Sequence, residues 1–299
     1  MSDHHGHTLA EMSHGLSVIA CEGCGFAHQH PLPSEEEMTA YYATQFYETF
    51  SPADWLAKEA AEQSYWRIEH RDRLQAIAEL AGMSGGRLLD IGCGAGWLLA
   101  YAQEQGWEVL GVEPSHAAWQ DASRRVPVLL GTFPHPGIGA HVPFDAVHCK
   151  QVLEHVRDPK AFLLEVHGVL KPGGLFAVEV PNDFNPLQRA ARQCLDKAPW
   201  WISPVHLNYF SFESLVGMLG ECGFHVLRRE ATYPMELFLL QGTDYIGRDE
   251  IGRTCHRQRM NLELALEESG CAEIRRSYRA WLAEHSIGRE AVVYARRAS

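Results

Sequence analysis

An open, doubly wound α/β fold with a mostly parallel seven-stranded sheet is what this 299-residue chain predicts. Three observations carry the expectation. Strand-like and helix-like segments alternate between residues 84 and 181. A glycine-rich turn joins the first of those strands to the helix that follows. Two later strand segments, Phe224–Glu230 and Glu290–Ala295, bring the total to seven. Alternation of this kind makes βαβ units, and their right-handed crossovers put helices on both faces of a parallel sheet.

The elements follow in order. Residues 1–33 form a Cys/His-containing segment rich in His, Gly and Pro. Residues 34–82 read as a helical cap, with Ser34 and early acids as a start signal and a long helix over Ala53–Leu80. Trp55, Tyr65, Ile68 and Ile77 are its expected buried side. The main domain, 83–299, opens with strand Arg87–Gly92, helix Trp97–Gln105, strand Trp107–Glu113 and helix His116–Arg125. Strands Val126–Gly131 and Phe144–Cys149 come next. Helix Pro159–Leu170 is stopped by Lys171-Pro172-Gly173-Gly174 before strand Leu175–Pro181. An irregular aromatic stretch then runs to Phe210, ahead of helix Glu213–Glu221. Between the last two strands lies a helical insertion, about 234–288, in which Ile274, Tyr278, Trp281 and Leu282 share one face.

Composition narrows the function. With 26 Lys and Arg against 38 Asp and Glu, the formal net charge is −12. Nucleic-acid binding rests on clustered basic residues, and no basic block occurs here. No apolar run approaches the ~18 residues of a membrane span, and the N-terminus lacks the form of a signal peptide. Eight cysteines, of which only Cys21 and Cys24 stand close in sequence, predict reduced thiols and a cytoplasmic protein. The 17 histidines are many for an acidic chain.

The most informative segment is Leu88-Leu89-Asp90-Ile91-Gly92-Cys93-Gly94-Ala95-Gly96, followed by a strand ending at Glu113. Glycines between strand and helix let backbone approach a ligand and present free N–H groups. An acid ending the second strand can accept both hydroxyls of a ribose. The dinucleotide pattern needs Gly-x-Gly-x-x-Gly, whereas Gly92-x-Gly94-x-Gly96 is followed by Trp97. Asp90 would also repel a pyrophosphate, but it suits an ammonium group beside a sulfonium. The residues therefore point to S-adenosylmethionine rather than NAD.

With this loop the chain resembles the class I S-adenosylmethionine-dependent methyltransferases, which have a Rossmann-like fold. It is most similar to the small-molecule branch that includes sugar and ubiquinone-type enzymes. Gln151-Val152-Leu153-Glu154-His155-Val156-Arg157-Asp158-Pro159, Leu170–Gly174, Val180-Pro181-Asn182 and His206–Ser211 carry the likeness over about 84–231. The resemblance implies that Asp90, Gly92, Gly94 and Gly96 surround the methionine moiety, that Glu113 meets the ribose and that Gln151 lines the methionine side. Cys93, Pro114 and Thr132 complete the candidate cofactor set. The family often places an acid after the third strand. Gly131-Thr132-Phe133-Pro134 stands there instead, so backbone and ring contacts are expected to hold the adenine.

Methyl transfer to a hydroxyl, amine or acidic carbon requires a proton acceptor, and histidine titrates in the useful range. His155 and His206 are the candidates, each with a structural role as the competing account. Asn182, Asp183, Asn208 and Tyr209 can orient a hydroxylated acceptor, and Trp201 can wall it. Tyr41, Tyr42 and Tyr47 are candidates to cover the cofactor. No carboxylate cluster for a catalytic metal is visible in the sequence.

Cys21-x-x-Cys24-Gly25 has zinc-knuckle spacing. Two more ligands are needed, and either His28 with His30 or His4 with His7 can supply them. Some sugar methyltransferases carry a zinc ribbon here, and this segment resembles its second half only. The expected protein is thus a methyltransferase, monomer or homodimer, acting on a small polar acceptor such as a sugar or glycan precursor. Oxygen is the favoured atom, with nitrogen or carbon as alternatives. The rival is a cofactor-binding protein of the same fold without turnover. Arg253, Arg257 and Arg259 are either a solvated helix face or a site for an anionic substrate group.

Overall fold

A computed structural model describes residues 4–12, 15–34, 36–37, 52–199, 202–203 and 205–298, without the side chains of 52–55. Tyr41, Tyr42, Tyr47, Trp201 and the Trp55 side chain lie outside the described residues. Three strands come first: β1 (Gly6–Glu11), β2 (Ser17–Cys21) and β3 (Phe26–His30). Helices α1 (Pro52–Ala61) and α2 (Gln63–Ala81) lead into β4 (Arg87–Ile91). The alternating core continues with α3 (Trp97–Glu104), β5 (Glu108–Glu113), α4 (His116–Ala122), β6 (Val128–Leu130), β7 (Phe144–Lys150), α5 (Pro159–Val169) and β8 (Leu170–Pro181). Then come α6 (Pro186–Cys194), β9 (Asn208–Tyr209), α7 (Phe212–Glu221) and β10 (Phe224–Ala231). Helices α8 (Glu236–Leu240), α9 (Asp249–Glu268) and α10 (Ala272–Glu284) form the insertion before β11 (Glu290–Arg297).

The main sheet has seven strands in the order β10-β11-β8-β7-β4-β5-β6, as the alternation predicts. β4, β5, β6, β7 and β8 pair in parallel, and β11 runs antiparallel between β8 and β10. Leu89, Ile91, Val147 and Val178 pack with α5 and α7 on one face. Leu88, Ala146, Ala177 and Tyr294 pack with α2 and α3 on the other. Side chains alternate across a strand, so Asp90, His148 and Glu179 fall on the α2 face, toward the carboxyl ends. That face is therefore apolar at one end and charged at the other.

Several expectations change. The long helix over Ala53–Leu80 is two helices meeting at Glu62, and Ile68 is only half-buried. Lys171–Gly174 belongs to the irregular start of β8 rather than to a separate stop. Helix α6 occupies part of the stretch expected to be irregular. The N-terminal segment, for which the sequence suggested no strands, supplies β1, β2 and β3, which join β9 in a second, antiparallel sheet ordered β1-β2-β3-β9.

The insertion departs most. On α10, Ile274 and Trp281 are exposed, while Arg275 and Arg279 are buried with Leu282. Arg279 donates to both carboxylate oxygens of Glu69 on α2, at 2.5 and 2.9 Å. Arg275 bonds Asp72 and lies 3.4 Å from Glu69 and 3.6 Å from Glu263. The helix turns its arginines inward because α2 and α9 present carboxylates there. Arg259 joins this group through the Tyr65 hydroxyl at 2.9 Å, whereas Arg253 and Arg257 are exposed.

Burial alone would raise the Glu69 carboxyl, but the Arg279 guanidinium overrides it and holds the group at about 2. A folded-state value below the ordinary 4.5 gives stability that is complete above that pH and lost as pH falls toward 2. Removing one partner leaves a buried charge uncompensated. Arg279→Met is expected to cost about 3–5 kcal/mol in urea unfolding. Exposed Arg276→Ala is expected to cost under about 0.5 kcal/mol.

Candidate active site

The glycine turn between β4 and α3 has positive φ at Gly92, Gly94 and Gly96: 71°, 54° and 74°. At Gly92 a Cβ would stand 2.5 Å from Val152 Cγ2, so a side chain there would have to displace Val152. The loop is anchored from β5. Gly92 N–H donates to the Val112 carbonyl at 2.8 Å, and Gly94 N–H donates to Glu113 Oε2 at 2.9 Å. Glu113 Oε1 accepts from Ser115 N–H at 2.8 Å, so one carboxylate ties the loop to the turn after Pro114. Burial raises the Glu113 carboxyl despite these donors.

A cavity of about 220 Å³ opens beside the turn. Asp90, Gly92, Cys93, Gly94 and Gln151 from the predicted cofactor set line it, while Gly96, Glu113, Pro114 and Thr132 do not. Its floor is charged. His148 Nδ1 and Asp90 Oδ1 are 2.7 Å apart, Arg73 pairs with Glu179, and Lys150 Nζ lies 3.0 Å from Glu179. Lys150 also sits 4.4 Å from the centre of the Trp66 ring. Gln151 has φ of 54° and keeps its Nε2 without a partner among the described residues.

The other side of the cavity comes from α1 and α2: Glu59, Trp66 and His70, none of which the sequence singled out. Burial, then the Lys150 charge, pushes His70 down to about 3. Burial pushes the Glu59 carboxyl up to about 7, and its Oε2 has no partner among the described residues. A carboxyl that holds its proton near neutrality, aimed at a cofactor-sized space, is suited to proton transfer.

His155 and His206 meet elsewhere. They do not line this cavity, but they lie together, ring centres 4.8 Å apart and edge to face. His155 Nδ1 donates to the Val205 carbonyl at 2.8 Å, leaving Nε2 as the acceptor nitrogen, 3.9 Å from Glu154 Oε1. Burial lowers both imidazoles, His206 to about 3. It also raises the Glu154 carboxyl well above its ordinary value. Glu154, His155 and His206 put ligand atoms within 4.8 Å of one another, one carboxylate among them and away from the cavity. One carboxylate and two imidazoles can hold a divalent cation or relay a proton.

The residues expected to orient an acceptor divide. Asn208 Nδ2 donates to the Leu153 and Val156 carbonyls at 3.1 and 2.6 Å, and Tyr209 donates to the Ser203 carbonyl at 3.1 Å. Asn182 Nδ2 donates to the Ser286 and Gly288 carbonyls. These three build the loops rather than offer donors to a ligand. Asp183 differs: it is buried, its Oδ2 lacks a partner among the described residues, and burial raises its carboxyl.

Residues 65–229 match the family model described as a methyltransferase domain. The chain belongs to that family. Its fold is that of the class I S-adenosylmethionine-dependent methyltransferases. The ubiquinone biosynthesis O-methyltransferase of Alkalilimnicola ehrlichii is 37% identical over 110 residues, 34% of this chain and 44% of that protein. A probable S-adenosylmethionine-dependent methyltransferase of Mycolicibacterium smegmatis is 28% identical over 174 residues, 56% of this chain and 62% of the relative. The matches thus span about half the length of these curated relatives. In structure, the methyltransferase domain is similar to the 1,6-didemethyltoxoflavin-N1-methyltransferase of Burkholderia thailandensis. Its TM-score is 0.50 at 14% identity, covering 97% of this chain and 98% of that one. That enzyme was crystallised with S-adenosylhomocysteine. Among the described residues, no helix is long and apolar enough to cross a membrane.

Gly92→Ala should keep the fold by circular dichroism while weakening S-adenosylhomocysteine binding at least about tenfold by calorimetry. The added methyl meets Val152 and the φ of 71° is strained.

Proposed function

We propose that the chain transfers the methyl group of S-adenosylmethionine to an oxygen of a small polar acceptor, such as a sugar or glycan precursor. The observation that carries this is the glycine turn tied to Glu113 and opening on a cavity floored by Asp90. Gly92, Cys93, Gly94, Gln151 and Asp90 take the methionine end. Glu113 takes the ribose, with Gly96, Pro114 and Thr132 shaping the adenosine side. The name of the Alkalilimnicola ehrlichii relative supports oxygen as the acceptor atom.

In the transfer, an acceptor hydroxyl loses its proton to a base as its oxygen attacks the methyl carbon. The carbon–sulfur bond breaks, and its electron pair stays on sulfur as the neutral thioether. His155 Nε2 is one candidate base, and His206, held at about 3, is the weaker proton acceptor of the two. Asp183 is the candidate to orient the acceptor, with Trp201 as its proposed wall. A specific observation favours a second assignment. Glu59 lines the cavity itself, and its carboxyl titrates near 7.

Mass spectrometry of methyl transfer to a panel of hydroxylated acceptors tests the function. Cofactor binding with no product across the panel would leave the non-catalytic rival standing. Glu59→Gln is expected to lower kcat about 10²-fold with little change in S-adenosylhomocysteine affinity. It should also abolish the fall in kcat below pH about 7. A wild-type rate and pH profile in Glu59→Gln, with a loss of similar size in His155→Ala, returns the role to His155. Cys21 and Cys24, expected to bind zinc, do not line the cavity.

A further inference from the structure

The chain has a second set of chemistry-bearing side chains that methyl transfer does not use. His4, Cys21, Cys24 and His28 come from the residues before β1, the end of β2, the turn after it, and β3. Their ligand atoms all lie within 4.8 Å of one another. His4 Nδ1 is 3.1 Å from His28 Nε2, 3.4 Å from Cys24 Sγ and 4.0 Å from Cys21 Sγ. A tetrahedral zinc ion with bonds of about 2.05 Å to nitrogen and 2.3 Å to sulfur needs edges of about 3.3, 3.5 and 3.8 Å for N–N, N–S and S–S pairs. The N–S spacings of 3.4 and 4.0 Å bracket the N–S edge, and the N–N spacing of 3.1 Å falls just short of its own.

The surroundings agree with a ligand set. His28 Nδ1–H donates to the Gln29 carbonyl at 2.7 Å, which fixes the tautomer and leaves Nε2 as the nitrogen facing the cysteines. Metal-bound imidazoles are oriented in this way. The Cys-x-x-Cys turn closes with Gly25 N–H donating to the Cys21 carbonyl at 3.0 Å, Gly25 itself at φ 77°. Gly6 pairs with Cys21 so closely that a Cβ there would meet the Ala20 carbonyl oxygen at 1.8 Å. That close approach carries His4 to the cysteines. Neither histidine pair of the sequence supplies the set intact: one histidine comes from each, and His7 and His30 are left out.

We propose that His4, Cys21, Cys24 and His28 bind one zinc ion, and that this ion clasps the N-terminal sheet against the loop that carries His206. The clasp reaches that loop through backbone alone. In β3, Ala27 and His28 pair with Tyr209 and Asn208 of β9, and Gln29 N–H donates to the Leu207 carbonyl at 2.8 Å. Leu207 N–H donates in turn to the Glu154 carbonyl at 2.8 Å, and Asn208 holds both ends of the turn containing His155. Zinc is thus a positioning element for both histidines and touches neither.

The test uses the full chain, purified with reductant from zinc-supplemented cells. Elemental analysis is expected to find one zinc per chain. Exchange with cobalt(II) should give the strong visible bands of a tetrahedral site and a sulfur-to-metal charge-transfer band. His4→Ala and Cys24→Ser should each weaken zinc binding by about 100-fold or more, while His7→Ala and His30→Ala keep it. A chain that takes up no zinc and gives no tetrahedral cobalt spectrum overturns the site. So does loss of zinc in His7→Ala or His30→Ala with retention in His4→Ala. For the clasp, chelator-stripped chain should show faster amide hydrogen exchange over residues 205–210 than the zinc form, with unchanged S-adenosylhomocysteine affinity. Equal exchange in the two forms overturns the clasp. Retained cofactor affinity keeps that result distinct from any failure of the methyltransferase reading.

Discussion

The structure rests on the buried charges of helix α2. Glu69 reaches outward to Arg279 and Arg275 of the insertion, and Arg73 reaches inward to Glu179 on the central sheet. Two turns of one helix therefore fasten the C-terminal insertion to the floor of the cavity. Desolvation makes each isolated charge costly in such a place, so the groups are tolerable only together. That interdependence makes the position of α2 specific. It also brings Trp66 and His70 over the glycine turn, because they share the helix with the charges that hold it down.

The same charges define the electrostatic character of the cavity. Asp90, His148, Lys150 and Glu179, the last also paired with Arg73 of α2, occupy positions on the sheet face where the alternation nearer the amino ends supplies Leu88, Ala146 and Ala177. The floor thus offers fixed groups of both signs, which the proposed binding of an ammonium and a carboxylate there would use with little reorganisation. The net charge of −12 conveys none of this. What matters is the few charges withdrawn from solvent, and among these the cations are as important as the acids.

Local features were the legible ones. The sheet and the turn at Gly92–Gly96 could be read because their signals lie within a few residues of one another, as strand period and glycine spacing. The Cys21-x-x-Cys24 spacing was visible for the same reason. Glu59 and His70 were not, since a polar residue on an amphipathic helix looks like solvated surface until the neighbour that buries it is known. Arg275 and Arg279 inverted the α10 face for a like reason: the apolar stripe through Ile274 and Trp281 was genuine, but carboxylates more than 200 positions earlier outweighed it. The N-terminal strands escaped notice because they are short and His-rich, and because their sheet is completed by β9, some 180 residues later.

The two sheets trade partners across the whole length of the chain, and this affects what counts as a separable unit. The segment matched by the family model, 65–229, contains β8 and β9 but neither β11 nor β3. Cut at those limits, the polypeptide would expose the edge of its central β8 and the edge of β9, both normally paired. Bare edges of this kind recruit strands from other molecules. The segment that the family model matches is thus not a self-contained set of strands: β11 and β3, outside it, cover the edges of β8 and β9.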